Sequence, residues 1–393
     1  MKHSAMALGA ACALACSCAQ ARDQGLQLYG SIDASVGHFT GVRSAARADD
    51  RDAATTSVTG MGAGGATGSV LGVRGGEPLG SRLWLDFKAE TGFCGVGLSQ
   101  PDSGGDPYCS GGGFMQREAW LGLSDQALGD WRFGRQVSML ARHTSQADAF
   151  GNSFVGQIDN LSLVGNNGAA LGMKRMDQTV AWSLPGGSQG LGLEAQYSFH
   201  AGPRPRPSES GEFHDPSALL LGLHYRSGNW LLGVDWSRWQ HAIGVAEGLR
   251  DHSYRLGLVY ATLDLGIATL SGQFQQGRAD GFGGEQRVLG LGLGLPLGGP
   301  NGKLMLSLAR FADSLAAAPA SLGTSHATQY ALGYSLELSR RTMVYASVAR
   351  IENDAADAGH RGTDLGVGAA GELFHGATGQ PSSGMSLGIA HRF

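Results

Sequence analysis

Once its first twenty-one residues are set aside, the chain has no run of about eighteen apolar residues, so no helix of it can cross a bilayer. Charge is scarce too: Asp, Glu, Lys and Arg make up 16% of the residues, against about 25% in an ordinary soluble domain. Lysine is nearly missing beyond the start, where only Lys88, Lys174 and Lys303 occur. Arginine, planar and always charged, therefore carries almost all the positive charge. No H-E-x-x-H occurs, and Ser, His and Asp, though plentiful, form no visible nucleophile–base arrangement, so an enzyme is not expected. The Gly-rich run MGAGGATG at 61–68 lacks the Lys-Ser/Thr of a phosphate cradle. No cofactor, metal or nucleic-acid partner is expected. No period of about forty to fifty residues supports propeller blades.

Cysteine is sparse, and most of it lies at the start. Cys12, Cys16 and Cys18 fall in MKHSAMALGAACALACSCAQA, which has a basic start, an apolar run and the small-residue exit Ala19-Gln20-Ala21. This pattern predicts a secretory signal peptide over 1–21, with the mature chain over 22–393. Acylation at Cys16 or Cys18 is the other reading of this segment, disfavoured because neither has a leucine three residues upstream. Loss of Lys2 moves the formal net charge from −4 to −5. Cys94 and Cys109 remain, fifteen residues apart around a Gly/Pro/Asp-rich stretch. They are expected to form one disulfide in an oxidising compartment.

What the chain has instead is glycine, 65 residues of it, and alternation. In VLGLGLGLPLGG (288–299), Leu289, Leu291, Leu293 and Leu295 are separated by single residues, glycines at 290, 292 and 294. Period two places successive side chains on opposite faces of a strand, and alternate glycines would cost a helix about 1 kcal/mol each. The segment predicts a strand with one apolar face and one bare one. The glycines would leave the inner wall bare where a loop or another backbone comes close, or else relieve a curved sheet.

Sixteen period-two segments can be counted, near 26–40, 67–76, 81–93, 113–124, 129–138, 174–184, 190–200, 217–227, 229–239, 251–262, 264–277, 284–295, 302–313, 327–338, 341–353 and 383–393. Their connections alternate between short and mostly long, as in an up-and-down meander trimmed at one end. In RLWLDFKAETGF (82–93), Leu83, Leu85, Phe87 and Ala89 oppose Trp84, Asp86, Lys88 and Glu90. A barrel of so many strands is too wide for apolar side chains to fill, so the apolar face must look outward at lipid. The expected fold is all-β: a transmembrane antiparallel β-barrel of about sixteen strands with short periplasmic turns and long extracellular loops. Trp182, Tyr197, Phe199, Trp230, Trp236, Trp239, Tyr260, Phe311 and Tyr345 lie mainly toward strand ends and suggest interfacial girdles.

Several segments resemble the Gram-negative general porins of the β-proteobacterial type. LQLYGSIDASVGHF (26–39) is similar to their first strand, GSVLGVRGGEPLGSRLWLDFKAETGF (68–93) to the second and third, and FMQREAWLGLSDQALGDWRFGRQVS (114–138) to the fourth and fifth. DAFGNSFVGQIDN (148–160) is similar to the third loop, which in that family folds into the lumen, and LSRRTMVYASVAR (338–350) and MSLGIAHRF to the last two strands. The resemblance implies an outer-membrane homotrimer passing small hydrophilic solutes and ions by diffusion. Terminal Phe393 would be read by the outer-membrane assembly machinery.

The resemblance also implies a constriction with opposed charges. Asp148 and then Asp159 would form its acidic side on the third loop, and Arg74, Arg135 and Arg175 its basic side on the wall. Strict alternation puts Arg132 rather than Arg135 toward the lumen, and a bulge would be needed to turn Arg135 inward. Asp33, Lys88 and Glu90 are further lumen-facing residues. The sign of ion preference is left open. So is a substrate-specific channel with an internal binding site, for which Trp84 facing inward is the cue, and a non-channel surface β-protein or adhesin.

Overall fold

The computed structural model describes residues 25–43, 54–62, 64–92, 115–125, 127–165, 173–184, 189–200, 217–242, 252–299, 301–315, 323–357, 359–368 and 375–393. The signal segment and both Cys94 and Cys109 lie outside these residues. The strands are β1 (Gly25–Arg43), β2 (Thr55–Gly62), β3 (Val70–Pro78), β4 (Leu83–Gly92), β5 (Glu118–Asp125), β6 (Gly129–Val137), β7 (Arg175–Leu184), β8 (Gly190–His200) and β9 (Ala218–Ser227). There follow β10 (Trp230–Ala242), β11 (His252–Asp264), β12 (Thr269–Ala279), β13 (Gln286–Pro296), β14 (Gly302–Asp313), β15 (Ser325–Glu337), β16 (Thr342–Asn353) and β17 (Ser382–Arg392). From β3 onward each strand pairs antiparallel with the next, β1 pairs with both β2 and β3, and β17 pairs with β1, so the sheet closes into a barrel.

β2 and β3 together form one barrel strand. The long β1 pairs with β3 through Gly25–Ser31 and with β2 through Ser35–Arg43. The closed barrel therefore has sixteen strands, as the alternation predicts. The break between β2 and β3 lies opposite Asp33, whose carboxylate accepts the amides of Ala66 (2.8 Å) and Thr67 (2.7 Å) and the Tyr345 hydroxyl (2.6 Å). Phe393 closes the seam at the start of β1 through amide–carbonyl bonds in both directions with Gly30.

Leu and aromatic side chains form the outer surface: Leu191, Leu221, Val234, Leu289, Leu291, Leu308, Leu332 and Leu387 are all exposed. The interior contains Ser, Thr, Gln and charged residues, together with the segment 138–164. Of the aromatics expected in girdles, Tyr197, Phe199, Trp230 and Trp236 are exposed, whereas Trp239, Tyr260, Phe311 and Tyr345 are buried on the inner side. Hydroxyls and large rings are useful there. Tyr345 bonds Asp33, and Tyr260 stacks on His143 at 4.8 Å.

The segment 138–164 lies inside the barrel. It begins with helix α1 (Met139–Gln146), whose N-cap Ser138 accepts the Ala141 amide through its side chain. It turns through residues 147–157 into a single 3₁₀ turn at Ile158–Asn160. Wall glutamines hold it: Gln196 accepts the Met139 amide, Gln273 donates to the Thr144 carbonyl, Gln275 accepts the Leu163 amide and Gln329 donates to the carbonyls of Gly156 and Gln157. Loop backbone taken out of water needs such partners, and a wall rich in amides supplies them.

The glycines of 288–299 serve this contact. A β-carbon built at Gly290 would sit 2.8 Å from Ile158 Cδ1, and one at Gly292 would sit 2.7 Å from Ala149 Cβ and 3.0 Å from its amide nitrogen. The bare face is where the loop lies down, while Leu289 and Leu291 point outward. Gly292→Val is therefore expected to destabilise the barrel by about 1–3 kcal/mol through overpacking against loop backbone. Gly257→Val, at a glycine with open space where its β-carbon would project, is the control. Urea midpoints of the two variants in detergent decide the point; equal midpoints would refute the close-approach account.

Candidate pore constriction

Two recesses line the water path. The first lies toward the short-turn end and is bounded by Gln27, Tyr29, Arg74, Trp84, Asp86, Lys88, Trp120, Asp130 and Arg132. Arg74 Nε donates to Gln27 Oε1 at 3.1 Å and its guanidinium lies 5.4 Å from the Tyr29 ring centre. Arg132 lies over the Trp120 ring at 4.6 Å, a cation–π pair that holds the guanidinium on the wall. Three cations face two carboxylates in this recess.

The second recess lies where the in-folded segment approaches β3, β4 and β7. Its charged lining is Arg117, Arg142, Lys174 and Arg175 against Glu90 and Asp159. Glu90 is held from three sides: Tyr29 Oη donates at 2.8 Å, Arg117 Nε at 2.6 Å, and Lys88 Nζ lies 3.2 Å away. Lys88 also bonds Glu118 at 2.6 Å. Asp159, on the loop, pairs with Lys174 on the wall. Both carboxylates are thus fixed against cations, and the four cations outnumber them.

The residues singled out in the sequence divide accordingly. Arg74, Arg132 and Lys88 line the first recess, and Arg175, Glu90 and Asp159 the second. Arg135 lines neither. The expected bulge exists, as a register shift between Gly134 and Gln136 with Gly134 at φ +127°. The Arg135 guanidinium there bonds the Gln116 carbonyl and Asp177. Asp33 points inward toward Tyr345 but is shut off from water and lines neither recess, its carboxylate being taken up at the break in the second barrel strand.

Asp148 does not face water either. Its Oδ1 accepts the Phe150 amide at 3.2 Å, and its Oδ2 accepts those of Asn152 (2.9 Å) and Ile158 (3.1 Å). It staples the loop's own turn, in which Gly151, Asn152 and Phe154 all have positive φ near 60°. Burial pushes its carboxyl up to about 6 against those hydrogen bonds.

Arg117, Arg142 and Lys174 were not singled out in the sequence. Arg117 shares parity with outward Leu121 yet lines the recess, so alternation could not find it. Arg142 stands on a helix, where period two does not apply. It bonds Glu194 on β8, beside His143, whose Nδ1 lies 2.7 Å from Asp235 Oδ2. Two Gly-x-Ser-x-Gly spacings occur, at 186–190 and 384–388. Ser386 in the second bonds Ser347 within the extended strand β17, not on the strand-to-helix turn that a nucleophile needs.

The family model described as Gram-negative porin matches residues 5–356. An outer membrane porin protein of Bordetella pertussis is 28% identical over 375 residues, covering 87% of this chain and 92% of that protein. Outer membrane porin protein 32 of Delftia acidovorans is 28% identical over 402 residues and all of both chains. Among solved structures, an anion-selective porin from Comamonas acidovorans superposes with a TM-score of 0.70 at 24% identity, over 94% of this chain and 99% of its own. The closed sixteen-stranded barrel agrees with the fold of that solved porin, and the chain belongs to the Gram-negative porins, outer-membrane channels for passive diffusion.

Proposed function

We propose that this porin prefers anions, and that its selectivity is set where the in-folded loop meets the wall. The observation that carries this is the excess of cations along the water path: three against two in the first recess, and Arg117, Arg142, Lys174 and Arg175 against Glu90 and Asp159 in the second. Charges fixed on a low-dielectric wall concentrate counter-ions in the narrow water column between them. Opposed pairs such as Lys174–Asp159 also create a transverse field that orients a passing dipole. The chain's overall negative charge does not oppose this, since short-range fields in the constriction decide which ion enters. The anion selectivity named for the Comamonas acidovorans porin agrees with this reading.

The same reading includes cleavage after Ala21, a Cys94–Cys109 disulfide, long loops on the cell exterior and recognition of the Phe393 strand during assembly. It also includes a homotrimer. The exposed apolar wall at Leu306, Leu308, Tyr330, Leu332 and Val348 suits either lipid or a neighbouring barrel.

Reversal potential across a tenfold KCl gradient in a planar bilayer tests the ion preference. Stepwise conductance with an anion-side reversal is expected, and a cation-side reversal would overturn the assignment. A second reading is favoured by Trp84 and Trp120 beside Arg74 and Arg132, which make an aromatic, basic surface in the first recess. It is an internal site for a larger anion, and conductance that saturates with that solute would support it.

A further inference from the structure

We propose that His143, His224 and Glu194 form a transition-metal site that clasps the in-folded loop to the barrel wall, with Zn²⁺ the fitting ion. One donor atom from each lies within 4.8 Å of the other two. His143 Nε2 is 3.3 Å from Glu194 Oε1, and His224 Nδ1 is 3.8 Å from the same oxygen. Bonds of about 2.0–2.1 Å at a tetrahedral centre place neighbouring donors roughly 3.3 Å apart. Only small side-chain shifts separate the observed set from that geometry.

The surroundings are those of a ligand set. His143 Nδ1 lies 2.7 Å from Asp235 Oδ2 and Nε2 lies 3.3 Å from Glu194 Oε1; with Nδ1–H given to Asp235, the ion would take the place of the proton between Nε2 and Glu194. Tyr260 stacks on the same ring and holds its plane. Arg142 takes Glu194 Oε2, while Oε1 faces both imidazoles. The buried Nδ1 of His224 makes no hydrogen bond. Its ring lies against Gly192, where any β-carbon would collide.

Two imidazoles and one carboxylate suit Zn²⁺, Co²⁺ or Ni²⁺ rather than Ca²⁺ or Mg²⁺, which take oxygen ligands. Asp235 offsets the positive charge of Arg142 beside the ion. The His224 side chain is 19% exposed, which gives access from the lumen and room for a water as fourth ligand. His143 stands on α1 while Glu194 and His224 stand on β8 and β9. The ion would therefore join the loop to two wall strands, a connection separate from the ion preference proposed above.

The test is a Zn²⁺ titration of the folded full-length protein in detergent against a chromophoric chelator, repeated with Co²⁺ to read its visible bands. The expected result is one site per chain with four-coordinate Co²⁺ absorption. His224→Ala should lose at least about tenfold in affinity, and Asp235→Asn about 10–100-fold. His143→Gln provides a second ligand variant, and all three are compared as heat-modifiable folded barrels. A dissociation constant weaker than about 1 mM would overturn the proposal. So would wild-type affinity and stoichiometry retained in both His224→Ala and His143→Gln.

Discussion

Replacing Arg117 and Arg175 together by glutamate moves the reversal potential of the pore from the anion side to the cation side. Four cations against two carboxylates then become two against four around the second recess. A unit charge about 4 Å from an ion's path is worth about 1 kcal/mol in bulk water and more beside a low-dielectric wall. Two reversals therefore supply well over the 1.4 kcal/mol that makes a tenfold change, and the permeability ratio should shift by about tenfold or more. Glu90 keeps Lys88 at 3.2 Å and Tyr29 at 2.8 Å when Arg117 is lost, so the wall still has partners around its buried carboxylate. Arg255→Glu is the control, since that exposed arginine pairs with Asp280 and lines neither recess. It should leave the reversal potential unchanged. The effect of the double variant should shrink as salt rises and the Debye length shortens. An anion-side reversal in the double variant would move the selectivity filter elsewhere in the lumen.

The barrel itself was legible because lipid and water impose opposite demands on successive residues. Strands such as Gly190–His200 and Gln286–Pro296 end within two residues of the alternating segments that announce them. Thr55–Gly62 does not stand out for the converse reason: TTSVTGMG has no continuous apolar face, although it pairs with the far half of β1, Ser35–Arg43. The constriction was legible only in part. Arg74 and Arg132 obey parity, but Arg117 and Arg142 do not stand in regular strands. Nor can alternation distinguish a carboxylate that faces water from one used by backbone amides, the case of both Asp33 and Asp148. Those amides come from Ala66 and Thr67 for one and from Phe150, Asn152 and Ile158 for the other, contacts that exist only after the chain has turned back. The bare glycines at 290 and 292 were the one local trace of the loop's resting place.

Asp148→Ala is expected to release the turn of the in-folded loop while leaving ion preference close to wild type, which separates a staple from a selectivity residue. The carboxylate accepts three amides, and hydrogen bonds to charged groups contribute about 1.5–3 kcal/mol each. Its ionised form also carries a burial cost. A carboxyl pushed up from 3.8 to about 6 holds its proton more tightly in the folded loop than in the open one. The closed loop is therefore favoured most below about pH 4, and this contribution declines as pH rises through the window from about 4 to 6. At neutral pH the cost is about 3 kcal/mol relative to the neutral acid. The net loss on truncation to alanine should therefore be about 1.5–6 kcal/mol of local stability, enough to raise loop opening at least tenfold. Trypsin reads that opening directly, because Arg142 and Lys174 flank the turn. Asp148→Asn sharpens the test: it keeps an acceptor for two amides and removes the ionisation cost. By hydrogen exchange of the loop amides, relative to wild type at each pH, it should be more protected at pH 8 than at pH 4.5, the opposite of what loss of a salt bridge would give. Unchanged cleavage of Asp148→Ala, or a reversal potential shifted as far as in the arginine variants, would return Asp148 to the constriction.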